Sequence, residues 1–328
     1  VLGRAVRAAH TVTFIGLKPG LLTLDGPDYC GDIHLATLGL DAPRMLPAAG
    51  MISGPEILRG TPTARRHNTH KGTYGSVAVF GGAHGMVGAA LLAGRAALKL
   101  GAGRVNLGLL AAAAPLVDNA QPELMLRSAD ELAAREDLDC IAVGPGLSQS
   151  ASALALLKTV LGRAAPLVID ADALNLIGAD GTLQDAVRAR TSPTLLTPHP
   201  AEAARLLACS TADVQRDRVT AARALAKAFN AGAVVKGAGS VCAWPDDTWA
   251  INVSGNPGMA SAGMGDVLTG FIAALLAQGV EAKRALLAAV YLHGAAADVL
   301  VAEGTGPVGL AAGELIDAAR RLLNRNTA

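Results

Sequence analysis

The sequence predicts an α/β protein with a mostly parallel central sheet that is covered by helices on both faces. Short segments with continuously apolar side chains, such as 76–80 and 140–143, alternate with alanine- and leucine-rich segments of helical length. Strands of a parallel sheet have continuously apolar sequences because both of their faces are buried. Hydrophobic residues make up 51% of the 328 residues, so the chain can bury a large core.

The expected strands and helices follow one another along most of the chain, with glycine-rich turns between them. The strand segments are 76–82, 104–110, 140–146, 166–174, 193–200 and 233–245, the last with a turn between two strands; the helical segments are 81–103, 150–162, 201–208 and 213–232.

The first part of the chain differs from the rest. Two strand-like segments, 11–17 and 32–40, precede a linker at 41–59 that contains several prolines and glycines. Two strands cannot bury a core alone. We therefore predict that residues 1–47 are the end of one domain plus a linker, and that residues 48–328 form a second domain.

The bulk composition excludes several classes of protein. A formal charge of +1 and an aromatic content of 3% argue against a nucleic-acid partner. No apolar run approaches the roughly 20 residues of a membrane span, and the first residues lack the apolar region of a signal peptide. The four cysteines are scattered without a CxxC pair, which predicts reduced thiols, a cytoplasmic location and no zinc site.

Polar residues at the ends of the predicted strands form the first candidate site. In parallel sheets, ligands bind beyond the carboxyl ends of the strands, where these side chains would converge. Each residue also has an ordinary explanation, since the acids could cap helices, the histidine could be a packed loop residue and the lysine could be a solvated charge. The residues are His84, Asp170, Asp172, Asn175, His199, Glu202 and Lys236.

The stretch 252–268, NVSGNPGMASAGMGDVL, is the second candidate. We expect a helix from Val267 through Leu276, with Asp266 where that helix begins. Glycines at 263 and 265 would let backbone N–H groups face an anion such as phosphate, and the helix dipole would add positive potential. Asp266 could then accept a proton from a hydroxyl that attacks the phosphate. The alternative is a glycine-rich turn capped by Asp266.

The glycine-rich turn at 81–88, GGAHGMVG, lacks the G-x-G-x-x-G spacing of dinucleotide-binding domains. An acidic residue about 20 positions further on is also missing, since Arg104, Val105 and Asn106 stand there. The turn therefore argues against an NAD-dependent dehydrogenase.

Eight motifs together resemble one family and follow its order across 65 to 323. The family is that of the ADP-dependent NAD(P)H-hydrate dehydratases, the carbohydrate-kinase-like half of bacterial bifunctional NAD(P)H-hydrate repair enzymes. Residues 1–45 resemble the closing strands of the partner half, the epimerase. The main epimerase motifs would lie upstream of Val1, so we expect no epimerase activity from this sequence alone. The motifs are HKGTYGSVAVFGG, GAALLAGRAALKLGAGRV, VGPGL, VIDADALNLI, LLTPHPAE, VVKGAGS, GNPGMASAGMGDVLTG and VYLHGAAAD.

The resemblance implies a ribokinase-like, three-layer α/β/α sandwich that acts with Mg²⁺ and ADP. The family phosphorylates the C6 hydroxyl of a hydrated nicotinamide ring, giving AMP, and the phosphate then leaves. Members assemble as tetramers or higher homo-oligomers. Two alternatives remain open at this stage. One is a small-molecule kinase of the hydroxyethylthiazole or hydroxymethylpyrimidine type, and the other is a nucleotide-binding regulatory module without turnover.

The resemblance also assigns roles to single residues. Asp266 would be the base, the N–H groups of Ala262 to Gly265 would hold the phosphoryl group, and Glu202 would organise Mg²⁺ through water. Met264 departs from the family, which more often has a small polar residue there. Tyr74 and Tyr291 receive no role, and His293 is expected to be a core residue. The implied hydrate contacts are Ala89, Gly146, His199 and Asp266; the implied nucleotide contacts are Lys236, Gly237, Ala238, Gly239, Ser240 and Gly265.

Overall fold

A computed structural model describes residues 3–62 and 65–326. Ten strands form one sheet and two form another. In chain order the strands are His10–Phe14 (β1), Asp32–Ala36 (β2), Met51–Ser53 (β3), Ser76–Gly81 (β4), Arg104–Leu109 (β5), Met125–Ser128 (β6), Cys140–Val143 (β7), Leu167–Ile169 (β8), Thr194–Leu196 (β9), Gly232–Val235 (β10), Ser240–Ala243 (β11) and Trp249–Asn252 (β12).

Helices connect most of these strands. The described α-helices are Pro19–Leu22 (α1), Gly26–Cys30 (α2), Ala42–Met45 (α3), Val87–Lys99 (α4), Ala129–Ala133 (α5), Ala151–Leu161 (α6), Ala171–Ala179 (α7), Gly181–Arg188 (α8), Pro200–Leu206 (α9), Thr211–Arg216 (α10), Arg218–Phe229 (α11), Met264–Ala277 (α12), Ala282–Ala302 (α13) and Ala312–Asn326 (α14); short 3₁₀ turns span Pro55–Leu58, Lys71–Tyr74 and Pro257–Met259.

The large sheet is mostly parallel, as predicted. Its strand order is β3-β12-β11-β10-β9-β8-β7-β4-β5-β6, and only the pairs β10–β11 and β11–β12 are antiparallel. All six residues of β4 are buried. Val77 and Val79 face one half of the core while Ala78 and Phe80 face the other, because successive side chains of a strand alternate.

Two layers of helices cover the sheet, which completes the predicted α/β/α sandwich. Helices α4, α12, α13 and α14 pack on one face, and α6 to α9 and α11 pack on the other. Helices α4 and α12 approach each other closely at Gly270, where a Cβ atom would lie 2.2 Å from the carbonyl oxygen of Ala93. This packing fixes the start of α12 relative to the sheet.

Strands β3, β6 and β12 were not expected from the sequence. Strands β3 and β6 are the two edges of the sheet and are only three and four residues long. Most of their residues are exposed or half-buried, so these strands carry no continuous apolar run. Strand β12 completes a hairpin with β11, and this hairpin carries the antiparallel pairs.

The N-terminal part forms the small sheet, in which β1 and β2 pair in parallel. The two strands expected at 11–17 and 32–40 are confirmed in shorter form, and the segment between them contains α1 and α2 instead of a plain loop. The backbone N–H of Leu24 donates a hydrogen bond of 3.0 Å to the carbonyl of Ala238 in the main domain. The segment at 22–24 therefore contacts the predicted nucleotide loop.

Helix α13 corrects one expectation from the sequence. It is 21 residues long and contains an 18-residue stretch with a mean hydropathy of 1.8, so it is long and apolar enough to cross a membrane by length and composition. In the structure 67% of its apolar window is buried against the rest of the protein. The core helix of a compact domain has these same properties, so the helix is weak support for a membrane span.

Candidate active site

Helix α12 begins three residues earlier than predicted, at Met264. Gly263 precedes it with φ 86°, a left-handed conformation that glycine adopts without strain. Asp266 therefore lies inside the first turn, and the alternative that it is the N-cap residue is wrong. The first N–H groups of a helix have no partner within the helix, so those near Met264 and Gly265 remain able to bind an anion.

The Asp266 carboxyl group has an environment suited to a base. Burial, together with the negative charges of Asp170 and Asp172, raises its pKa to about 7, although the Lys236 ammonium opposes this shift. A base is most effective when its pKa lies near the working pH. The group can therefore accept and release a proton at neutral pH.

A buried ion pair lies beside Asp266. Lys236 Nζ is 2.8 Å from Asp170 Oδ1, and the two side chains are 20% and 2% exposed. Thr269 donates a hydrogen bond of 2.9 Å to Asp170 Oδ2. Although burial alone would raise it, the pKa of Asp170 is held below its usual value by Lys236 and by the hydroxyls of Thr197 and Thr269. Burial also opposes the charge of Lys236, but Asp170, Glu202 and Asp266 keep the lysine pKa raised.

This ion pair decides between the alternative interpretations of Lys236 and Asp170 that the sequence left open. Lys236 is not a solvated charge, and Asp170 makes no side-chain cap for the helix that follows it. A Cβ atom on Gly265 would lie 3.1 Å from Lys236 Nζ, so glycine at this position keeps the ammonium group close to the start of α12. A phosphoryl group bound there would meet both the N–H groups and the lysine.

His199 and Glu202 form a reciprocal cap at the start of α9. The Nδ1 atom of His199 accepts hydrogen bonds from the N–H groups of Ala201 and Glu202, at 3.1 and 3.4 Å. Glu202 Oε2 accepts one from the N–H of His199 at 2.8 Å, and Oε1 lies 3.2 Å from His199 Nε2. His199 is thus held by the helix it caps, and its half-exposed ring can still meet a ligand.

The carboxylates around Lys236 fit a magnesium ion held indirectly. Among the residues that the structure describes, no group of three or more His, Cys, Asp or Glu side chains is placed to hold a metal ion. Both oxygens of Glu202 already contact His199, so a bridging water would be the means of contact. Mg²⁺ keeps several waters and is commonly bound through the phosphates of a nucleotide, which agrees with this donor set.

The two small residues implied to contact the hydrate lie next to each other. Gly146 has φ 58°, and a Cβ atom on it would be 3.2 Å from the Cβ of Ala89 and 2.6 Å from the carbonyl oxygen of Met86. Its carbonyl accepts a hydrogen bond of 2.7 Å from the N–H of Ala83. The structure therefore joins the turns that follow β4 and β7 into one surface of small residues.

The predicted nucleotide loop, 236–240, is held from two sides. Ser240 Oγ accepts from the N–H of Gly237 and donates to its carbonyl, at 3.2 and 3.0 Å. Arg218, only 6% exposed, donates from Nη1 to the carbonyl of Ala238 at 2.6 Å. Leu24 donates to the same carbonyl from the N-terminal part. The sequence offered no signal for Arg218 or Leu24, because both contacts are distant along the chain.

We expect Gly239→Ala to weaken nucleotide binding. The residue has φ 67°, and a Cβ atom would lie 2.2 Å from the carbonyl oxygen of Leu22, so the loop or the segment at 22–24 must move. The KM for the nucleotide should rise several-fold. Gly162→Ala is the matched control because a Cβ atom there makes only ordinary contacts. Equal KM values for the two variants would contradict the expectation.

Helix α13 anchors both ends of the glycine-rich stretch. Asp298 accepts hydrogen bonds from the N–H of Gly255 at 2.8 Å and from the side chain of Asn256 at 3.0 Å. At the other end, the backbone of Met264 lies beside the buried ring of His293, whose Nε2 atom has no hydrogen-bond partner among the described residues. Burial and the charge of Lys236 lower the pKa of His293 to about 4, so this core histidine is neutral. The motif VYLHGAAAD therefore positions the stretch that carries Asp266.

We expect Asp298→Ala to lower kcat by ~10-fold, because an amide left without a partner lets the stretch before Asp266 shift. Asp298→Asn retains one acceptor and should recover part of the loss. Asp317→Ala, which removes an exposed partner of Arg320, is the control and should have wild-type kcat. A loss of thermal stability in Asp298→Ala without any change in kcat would leave Asp298 with a merely structural role.

Comparison with known proteins agrees with this geometry. A profile of the NAD(P)H-hydrate dehydratase family matches residues 77–321. The ADP-dependent (S)-NAD(P)H-hydrate dehydratase of Neisseria meningitidis is 46% identical and aligns over 80% of this chain and 90% of its own length. The bifunctional NAD(P)H-hydrate repair enzyme of Escherichia coli is 40% identical, over 98% of this chain and 62% of its own length. The chain thus spans about three fifths of that longer relative.

A crystal structure of the ADP/ATP-dependent NAD(P)H-hydrate dehydratase of Bacillus subtilis, co-crystallised with ATP and Mg²⁺, superposes with a TM-score of 0.75. The two chains are 33% identical, and the alignment covers 84% of this chain and 99% of the other. The predicted ribokinase-like fold is confirmed by such neighbours.

The fold and the site together define a ribokinase-like enzyme, with the Asp266 carboxyl group and the start of α12 at the carboxyl edge of the sheet. The chain belongs to the NAD(P)H-hydrate dehydratase family. The family resemblance read from the eight motifs is confirmed, whereas the epimerase-like nature of residues 1–47 and the domain boundary stay predictions.

Proposed function

We propose that the protein dehydrates the S form of NAD(P)H hydrate to NAD(P)H, with ADP as phosphoryl donor and AMP and phosphate as products. The observation that carries this proposal is Asp266, with a pKa of about 7, beside Lys236 at the start of α12. The Neisseria relative, named for this ADP-dependent activity, aligns over 90% of its length.

The first step is phosphoryl transfer to the C6 hydroxyl of the hydrate. Asp266 takes the hydroxyl proton as the C6 oxygen bonds to the β-phosphorus of ADP, and the bond from that phosphorus to AMP breaks. Lys236 and the N–H groups near Gly265 stabilise the charge on the transferring group. Mg²⁺, when bound with the nucleotide, neutralises charge on its phosphates.

The second step expels phosphate. The C6–O bond breaks with its electron pair on the phosphate oxygen, and the ring nitrogen supplies electrons to C6. Loss of the proton at C5 then restores the C5–C6 double bond of the nicotinamide. Phosphorylation is needed because hydroxide is a poor leaving group, and the site supplies mainly positioning and charge for this chemistry.

The other contacts have roles in binding. The surface formed by Gly146 and Ala89 admits a flat ring and its ribose, His199 contacts the hydrate, and the loop 236–240 binds the nucleotide. Glu202 would hold the Mg²⁺ ion through a bridging water. The family resemblance supports a homo-oligomer in the cytoplasm. In a longer polypeptide that includes an epimerase half, the protein would be bifunctional.

The test is product analysis with purified protein, Mg²⁺ and NADH hydrate, in the presence of ADP, ATP or no nucleotide. We expect the absorbance of reduced nicotinamide to return only with nucleotide, and AMP to appear with ADP. A small-molecule kinase would instead release a stable phosphorylated thiazole or pyrimidine alcohol, and a regulatory module would give no product. Either result would overturn the proposal.

A further inference from the structure

A cavity of about 480 Å³ lies at the carboxyl ends of β5 and β6, outside the site described above. One wall is the segment 109–116, which follows β5, and the opposite wall is 126–131. Ser152 and Leu156 of α6 contribute to its lining. No residue assigned to the hydrate or to the nucleotide lines this cavity, so it is a separate feature of the same sheet edge.

The cavity lies on the same edge of the sheet as the surface that contains Gly146. The N–H of Leu110 donates to the carbonyl of Gly81 at 3.0 Å, and the N–H of Gly82 donates to the carbonyl of Pro145 at 3.0 Å. These bonds connect the ends of β5, β4 and β7 side by side. Neighbouring strands are about 4.8 Å apart, so β6 lies about 14 Å from β7.

The strand order gives a direction in which the rest of the hydrate would extend. The nucleotide loop follows β10 and the hydrate contact His199 follows the adjacent β9, whereas the hydrate contacts Gly146 and Ala89 follow β7 and β4. NAD(P)H hydrate is a dinucleotide, so its adenosine half must extend away from the reacting ring. An adenosine half that continues past β4 along the sheet edge would reach β5, β6 and the cavity.

The walls suit adenosine. Leu109 and Leu156 are buried beneath the cavity, and Leu116 at its mouth is 97% exposed, so a purine would cover apolar surface there. Arg127 lines the cavity and makes no ion pair with any described residue, which leaves its guanidinium able to bind phosphate. The carboxylates of Asp130 and Glu131 can accept hydrogen bonds from ribose hydroxyls.

We propose that this cavity binds the adenosine half of the hydrate and that Arg127 contacts a phosphate of that half. The inference rests on the proposed function. The phosphate is either the pyrophosphate, common to both dinucleotides, or the 2′-phosphate of the NADPH form. The first case gives equal recognition of the two hydrates, and the second makes Arg127 a determinant of specificity.

The test compares three substrates: the hydrates of NADH, of NADPH and of reduced nicotinamide mononucleotide, which lacks adenosine. Ser152→Trp fills the cavity and should raise KM for both dinucleotide hydrates ~10-fold while leaving the mononucleotide hydrate unchanged. Arg127→Ala should raise KM ~10-fold for both dinucleotides if it binds the pyrophosphate, or for the NADPH hydrate alone if it binds the 2′-phosphate. Lys158→Trp, on the same helix but outside the cavity, is the control.

Unchanged dinucleotide KM values in both cavity variants, or equal changes with the mononucleotide, would overturn the inference. If the wild-type protein converts no hydrate, the proposed function fails by itself. The subsite is then tested by equilibrium binding of NADPH, which Ser152→Trp should weaken ~10-fold and Lys158→Trp should not. Equal NADPH affinity in these two variants would overturn the subsite independently of turnover.

Discussion

Asp266→Asn is expected to lower kcat by ~10²-fold or more, the usual range for removal of a general base. The amide cannot accept the proton of the C6 hydroxyl, but the N–H groups at the start of α12 and the loop 236–240 remain in place. AMP should therefore bind with wild-type affinity. Steady-state kinetics and AMP titration measure the two quantities, and near wild-type turnover would contradict the assigned role.

The pH profile gives a second measure of the same residue. Because the pKa of Asp266 is about 7 and the carboxylate is the active form, wild-type kcat should rise through pH 7 and then level off. That inflection should be missing from the residual activity of Asp266→Asn.

Folding stability should change with pH in the opposite direction to kcat. The folded state binds the extra proton between the unfolded pKa near 4 and pH 7, so folding stability falls as pH rises through this window. Asp266→Asn should therefore have a higher Tm than wild type at pH 8.

Lys236→Met is expected to lower the free energy of unfolding by ~3–5 kcal/mol, because it leaves the Asp170 carboxylate buried without its partner. Chemical denaturation at pH 7 measures the loss. The double variant with Asp170→Asn should recover much of it, since no buried charge then remains. Arg216→Met removes an exposed partner of Asp213 and should change stability by less than ~1 kcal/mol.

The pH dependence of this pair follows from the directions of the two shifts. The pKa of Asp170 is lowered, so its contribution is present above the unfolded pKa near 3.9 and is lost as pH falls below that value. The pKa of Lys236 is raised, so its contribution is present below about pH 10.4 and is lost above it. The free energy of unfolding of the double variant should vary less than that of the wild type at both extremes of pH. A Lys236→Met variant as stable as the control would show that the pair contributes little to folding.

The sequence was most informative where one short segment carries both structure and chemistry. Apolar strands ending in glycine or acid predicted the carboxyl edge that holds Asp170, His199 and Lys236. The stretch around Gly263 predicted a helix start that binds an anion. The predicted first residue of α12 was too late in the chain, because the residues around Met264 have a loop-like sequence although Met264 itself is apolar and buried. The backbone at Gly263 decided the position instead.

Contacts between distant parts of the chain could not be predicted in this way. The pairing of Lys236 with Asp170 depends on the order of β8, β9 and β10 in the sheet, which no local pattern contains. The hydrogen bond from Leu24 to Ala238 joins the N-terminal part to a loop more than two hundred residues later. Asp298 belongs to a motif that the sequence analysis identified, but its role depends on the packing of α13 against the stretch at 254–256, which is distant along the chain.

The central claim is that the C6 hydroxyl is phosphorylated before it leaves. The most direct test uses NADH hydrate with ¹⁸O in that hydroxyl, together with ADP and Mg²⁺, and measures the mass of the released phosphate. Attack of the hydroxyl on the β-phosphorus followed by C6–O cleavage predicts one ¹⁸O atom in each phosphate. Unlabelled phosphate, with the ¹⁸O recovered in water, would show direct loss of water and would contradict the account.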